Sequence, residues 1–137
     1  MFGVAISSSS PAVAARCSFA QAGVGAVASQ NVTDPRLGPL ALSLMAGGLS
    51  AAEAVAGVVA QGTHLDYRQV LAIDGRGQTA IHSGAKSLGI WADAKGRDVL
   101  SAGNLLADAG VPQAMVQAFE VAGGHLGDRL IAALRAG

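Results

Sequence analysis

Four consecutive serines, Ser7 to Ser10, follow the apolar run GVAI near the start of the chain. Polar residues recur in the same kind of place further on: Ser29-Gln30-Asn31, His82-Ser83 and Asn104 each close an apolar run. Hydroxyls and carboxamides are neutral hydrogen-bonding groups that can hold a carbonyl, an amide or a developing oxyanion without titrating. Polar groups at the ends of neighbouring strands often converge on one ligand cleft. The pattern therefore predicts a small-molecule site bordered by Ser7, Ser8, Ser9, Ser29, Gln30, Asn31, His82, Ser83 and Asn104. Each of these alone also serves as an ordinary turn or cap residue, so the expectation rests on the set.

Other chemistries find no pattern to support them. There is no glycine-rich phosphate loop, no GxSxG, no HExxH and no cysteine–histidine cluster. His64, His82 and His125 lie far apart without ligand spacing, so no metal and no cofactor are expected. Cys17, the single cysteine, fits a small buried hydrophobe better than a nucleophile, and it cannot form an internal disulfide.

Composition narrows the partners. At 137 residues the chain suits one domain over its whole length, residues 1–137. Nine basic and nine acidic residues cancel and form no runs, which argues against nucleic acid or an anionic membrane as partner. The uncharged stretch Cys17 to Thr33 carries several polar residues and falls short of the roughly 20 apolar residues that span a bilayer. No basic segment precedes an apolar one in the manner of a signal peptide. Together with the lone cysteine, this predicts a cytoplasmic protein.

The elements that must position the polar set come next. Phe2 to Ile6, apolar without alternation, predicts a strand covered on both faces, with Ala12 to Arg16 continuing in a neighbour after Pro11. Val24 to Ala28 predicts a second buried strand, with Gly23 and Gly25 allowing close backbone approach. Asp34 as N-cap, Pro35 at the first helical position and Gly47-Gly48 as the stop predict a helix over 35–47, facing inward through Leu37, Leu40, Leu44 and Met45. Ser50 and Glu53 form a capping box that opens a second helix, over 50–61, carrying Ala54, Val55, Val58 and Val59. Gln69 to Ile73 and Thr79 to His82 flank the turn DGRG and predict a hairpin. A strand follows at 99–103 after the looser segment KSLGIWADAKGRD. Two helices close the chain, one over 111–122 with Ala114, Met115, Ala118 and Phe119 inward, the other over 126–136. Strands in blocks and helices in blocks predict an α+β protein, with a helix pair on each side of strands buried on both faces: a four-layer αββα arrangement.

The order GVAISSSSPAVAARC, AGVGAVASQNVTDPRLGPLAL, LSAAEAV, DYRQVLAIDGRGQTAIHSGAK, SAGNLLA and AMVQAFEVA…LGDRLIAAL resembles an uncharacterised bacterial family of the N-terminal-nucleophile (Ntn) hydrolase superfamily. The resemblance covers nearly the whole chain. It implies the αββα sandwich and a mechanism in which the first residue of the mature chain, Thr, Ser or Cys, attacks an amide carbonyl with its own α-amino group as base. Asn104, Ser29 and Gln30 are then the candidates for catalysis through an oxyanion hole, and the serines lie beside the nucleophile rather than acting as one. Relatives carry a short extra strand before GVAI, beginning Met-Thr-Phe-Ser or similar, and further strands after the last helix, whereas this sequence begins Met1-Phe2 and stops at Gly137. The expectation is an amide-bond hydrolase of small molecules, its nucleophile supplied by a longer or processed chain, or a fragment or subunit of one. The alternative is a binding or structural subunit that has lost the nucleophile. Either way, a second chain carrying the remaining strands, or a homo-oligomer, is the expected partner.

Overall fold

The computed structural model describes residues 1–137. Six strands and five helices follow one another as α1 (Val13–Arg16), β1 (Ser18–Gln21), β2 (Gly25–Gln30), α2 (Leu37–Ala46), α3 (Ala51–Gln61), β3 (Gln69–Asp74), β4 (Thr79–Ser83), β5 (Ala92–Gly96), β6 (Val99–Gly103), α4 (Val111–Val121) and α5 (Leu126–Ala136). A single 3-10 turn, Leu65–Tyr67, precedes β3. All strand pairings are antiparallel, in a four-stranded sheet β1-β2-β3-β4 and a two-stranded sheet β5-β6. The protein is α+β, and no helix is long and apolar enough to cross a membrane.

Each helix pair covers its own sheet. Val27 of β2, Val70 and Ala72 of β3 and Ala80 of β4 meet Leu37, Ala41, Leu42, Met45, Ala54, Val55 and Val58 of α2 and α3 in the larger core. Ala94 and Val99 of the small sheet meet Val116 and Phe119 of α4 and Ala133 of α5 in the smaller one. Strands β3 and β4 contact the small sheet, chiefly β6, so the two sheets meet, each with its own helix pair.

Local signals explain most boundaries. The Ser50 side chain accepts from the Glu53 amide at 3.3 Å while the Glu53 carboxylate accepts from the Ser50 amide at 2.8 Å, closing the capping box of α3. That backbone hydrogen bond, with the one from the Ser50 hydroxyl, holds the Glu53 carboxyl below its ordinary value. Asp74 ties the β3–β4 turn to the same helix end: its carboxylate accepts from the amides of Arg76, Gln78 and Ala51 at 2.9, 3.0 and 3.0 Å. Burial pushes the Asp74 carboxyl up, but these three amides outweigh it and leave it below the ordinary value.

Several expectations are corrected. Phe2 to Ile6 belongs to no strand and makes no backbone–backbone hydrogen bond, because apolar content does not supply a ladder partner. It lies instead against α5, with Gly3 beside Leu126 and Leu130. Residues 13–16 form a short helix rather than a strand, as the helix propensity of Ala14, Ala15 and Arg16 favours. Helix α2 starts at Leu37: Asp34 accepts from the Arg36 amide at 3.0 Å and so caps a turn one step earlier, with Pro35 inside that turn. Leu42 is buried on α2, with Leu40 and Leu44 at the margin, and Val116 is the buried centre of α4. Strands β1 and β5 lay unrecognised in the sequence, since SFAQ lies half exposed at an edge and ADAKG carries two exposed charges.

Gly23 takes the turn between β1 and β2 with φ 76°, whereas Gly25 meets the opposite strand directly. A Cβ there would run into the Ile73 carbonyl oxygen, which is backbone and cannot swing aside. Gly25→Ala should therefore force β2 away from β3 and cost about 3 kcal/mol, the upper range for overpacking. Thermal melting of the variant checks this; an unchanged midpoint would show that the two strands have slack.

Candidate functional site

The register of the large sheet decides which polar residues meet. Gln30 lies directly opposite Gln69, and Gln69 directly opposite Ser83, so the three share one face across β2, β3 and β4. The next row, Ser29, Val70 and His82, faces the other way, toward the α2–α3 core that Val70 helps to form. One step along a strand thus separates residues directed between the sheets from residues directed at helices.

Gln69, 2 % exposed, is the hub of the first row. Its Nε2 donates to the Ser83 hydroxyl and to the Gly103 carbonyl, both at 3.2 Å, and its Oε1 accepts from Asn104 Nδ2 at 3.3 Å. The carbonyl of Gly103 can only accept, which fixes the orientation of the Gln69 amide and presents its oxygen to Asn104. Ser83 donates onward to Asp93 Oδ2 at 2.7 Å, linking β4 to β5. At the other end, Gln30 Nε2 donates to the Ser8 hydroxyl at 2.9 Å, and the Ser10 amide donates to the same oxygen at 3.1 Å.

These groups border a cavity of about 650 Å³ between the inner face of the large sheet, β6, the α4–α5 pair and residues 3–11. That volume lies within the roughly 300–1,000 Å³ typical of small-molecule sites. Ser7, Ser8, Ser9, Gln30, Asn31 and Asn104 line it, as does Gln69. Its wall is mostly apolar, and the ionisable side chains in it are Arg16 and Cys17. Cys17 is buried, its sulfur 3.5 Å from the Thr33 hydroxyl.

Three of the predicted residues stand apart. Ser29 is fully buried on the helix-facing side, and its hydroxyl has no hydrogen-bond partner. His82 is on the same side, its Nε2 3.0 Å from the Leu65 carbonyl. Ser83 does not line the cavity but supports Gln69 from behind. Of the other histidines, His125 caps α5 by accepting from the Gly127 amide at 3.1 Å, and His64 begins the 3-10 turn. Gln69 and Asp93 were missed by sequence reasoning. Gln69 opens a strand rather than closing one, so only the register could have placed it beside Gln30.

Next to the row, the backbone takes unusual conformations. Asn31, Val32 and Leu105 have φ values of 66°, 51° and 53°. The loop from Asn31 to Asp34 is held by Arg68, whose Nε donates to the Val32 carbonyl at 2.8 Å and whose Nη1 donates to the Thr63 carbonyl. Asp34 lies 3.6 Å from this buried guanidinium and forms a two-pronged pair with Arg36, at 2.9 and 2.7 Å. The hydrogen bonds from the Arg36 side chain outweigh the cost of burial and hold the Asp34 carboxyl down at about 2.

Chemically, the row can recognise but not titrate. Gln30 and Asn104 each keep a second N–H and a carbonyl oxygen free of protein partners, enough to donate to a ligand carbonyl and accept from its N–H.

A family model described as a family of unknown function, DUF1028, matches residues 1–137. The chain is similar to the crystal structure of a DUF1028 protein from Silicibacter pomeroyi, with a TM-score of 0.86 and 29% identity. The match covers 90% of this chain and 55% of that one, so the chain spans little more than half of its relative's length. No curated protein matches it.

Proposed function

The chain belongs to the DUF1028 family, and on that premise we propose that its cleft recognises amides, as part of an Ntn-type hydrolase that cleaves amide bonds in small molecules. The single observation that carries this is the row Ser8–Gln30–Gln69–Asn104, a set of neutral donors and acceptors in a mostly apolar cavity. Two antiparallel sheets, each with its own helix pair, support the same reading, since an Ntn hydrolase would layer them as an αββα sandwich.

In the reaction, a hydroxyl or thiol from the N-terminal residue of a longer or processed chain adds to the amide carbonyl. Gln30 and Asn104 donate to the oxygen as it becomes an oxyanion. Such fixed donors in a water-poor site are commonly the largest contribution to acyl-transfer catalysis. The amine leaves with a proton, and water then releases the acid from the acyl-enzyme.

A second reading, a binding subunit without chemistry, is favoured by one feature: Arg16 and Cys17 are the cavity's ionisable side chains, and neither is a carboxylate or imidazole base. One experiment separates the two. The longer or processed chain that carries the N-terminal nucleophile is purified and incubated with a panel of neutral primary and secondary amides, and both bound ligand (ligand-observed NMR) and released acid (mass spectrometry) are followed. Binding with turnover is expected for the hydrolase, and binding without turnover leaves the recognition subunit. Absence of both sinks the amide assignment.

A further inference from the structure

We propose that Val32 and Leu105 form an apolar clamp at the mouth of the cleft, so that its ligand is an amide bearing an aliphatic or aromatic group. This rests on the amide reading above and adds the second half of the ligand. Val32 and Leu105 both line the cavity, yet they are 50% and 68% exposed. Neither belongs to either hydrophobic core, so folding gains little from their side chains. Both nevertheless occupy the left-handed region of backbone space, where a non-glycine residue is uncommon and a β-branched one is a genuine outlier.

Asparagine or glycine would sit at these positions at much less cost. The surrounding structure instead fixes the two residues from behind. Arg68 holds the Val32 carbonyl at 2.8 Å, while the Leu105 amide donates to the Leu88 carbonyl and the Leu106 amide to the Ile90 carbonyl, each at 2.9 Å. Leu88, also exposed and lining the cavity, joins them at the rim. Strain held at a cavity mouth, in residues the core does not use, points to a binding role.

Placement gives that role its chemistry. Val32 follows Gln30 by two residues and Leu105 follows Asn104 by one, so each apolar residue lies beside, along the chain, a carboxamide that keeps an unused N–H and carbonyl oxygen. A ligand held by its amide at Gln30 and Asn104 would carry its apolar group along this rim. The single charged side chain of the lining is the cationic Arg16, so a cationic group on the ligand would find no anionic partner there.

The test compares propionamide with hexanamide, which share the amide and differ by three methylenes. Wild-type protein should bind hexanamide roughly 30-fold tighter, at about threefold per buried methylene. Val32→Asn and Leu105→Asn, both compatible with left-handed backbone, should each lose about tenfold in hexanamide affinity, with propionamide unchanged and the melting temperature equal or higher. Equal affinity of the wild type for both amides would remove the clamp and leave the amide cleft standing. Binding of neither amide would remove the amide reading and the clamp together. A large fall in melting temperature in both variants would assign the two residues to the fold. Concentration-dependent association in light scattering, abolished by Leu105→Asn, would show that the rim serves a second copy of the chain and overturn the clamp.

Discussion

Gln69→Leu should lower the affinity for hexanamide about 100-fold while leaving a folded protein. Leucine fills the same space but removes one acceptor and two donated hydrogen bonds, to Ser83, Gly103 and Asn104. Asn104 then loses the partner that aims its carboxamide, and with it the geometry of both hydrogen bonds it offers a ligand amide, one donated and one accepted. Two misaimed hydrogen bonds, at about tenfold each, account for the predicted loss. The Gly103 carbonyl and the Asn104 amide are left unpartnered, which should cost about 2 kcal/mol of stability. Titration with hexanamide and thermal melting report the two effects separately. A protein that melts earlier but binds hexanamide as before would reduce Gln69 to a fastener between the sheets.

Asp34→Asn should be the most damaging conservative change outside the core. Arg68 is buried at the start of β3 and has Asp34 as its nearest carboxylate, 3.6 Å away. Neutralising that carboxylate leaves a buried guanidinium with carbonyl partners alone, and breaking such a pair costs about 3 kcal/mol. For a chain of this length that corresponds to a fall of about 10 °C in melting temperature. The same carboxylate gives a pH signature. Its folded value, about 2, lies below the ordinary 3.8, so its contribution is fully present above pH 4 and disappears as pH falls from 4 toward 2. Wild-type stability should therefore drop through that window, and Asp34→Asn should show a shallower drop, the remainder coming from Asp74 and Glu53. Denaturant melts at pH 2, 3, 4 and 6 check both slopes; identical slopes would place the acid sensitivity elsewhere.

What could be read from the sequence followed the range of the interactions involved. Ser50 with Glu53, the turn around Asp74, the inward face of α3 and the span of α4 are signalled within a few residues, and those elements lie where expected. Phe2 to Ile6 has the composition of a buried strand, but a strand is defined by its partner, which composition does not encode. The candidate site shows the same division. Gln30, Asn31 and Asn104, at the ends of β2 and β6, line the cavity, and the serines line it with no strand before them. Ser29 and His82, one step along their strands, are directed into the helical layer because a single-residue shift reverses the face. Gln69 joined the site only through register, a long-range property that no local spacing reports.

The central claim, that this row of carboxamides recognises an amide, can be read at the row itself. Side-chain NH2 resonances of Gln30, Gln69 and Asn104 are resolved in a nitrogen–proton correlation spectrum and followed during titration with hexanamide. All three should shift together along one saturating curve, with the backbone amides of Val32 and Leu105 moving in step. Saturable binding that leaves these three side chains unmoved, or that moves instead the crevice around Gly23 and Arg76 on the far side of the large sheet's turn, would contradict the account.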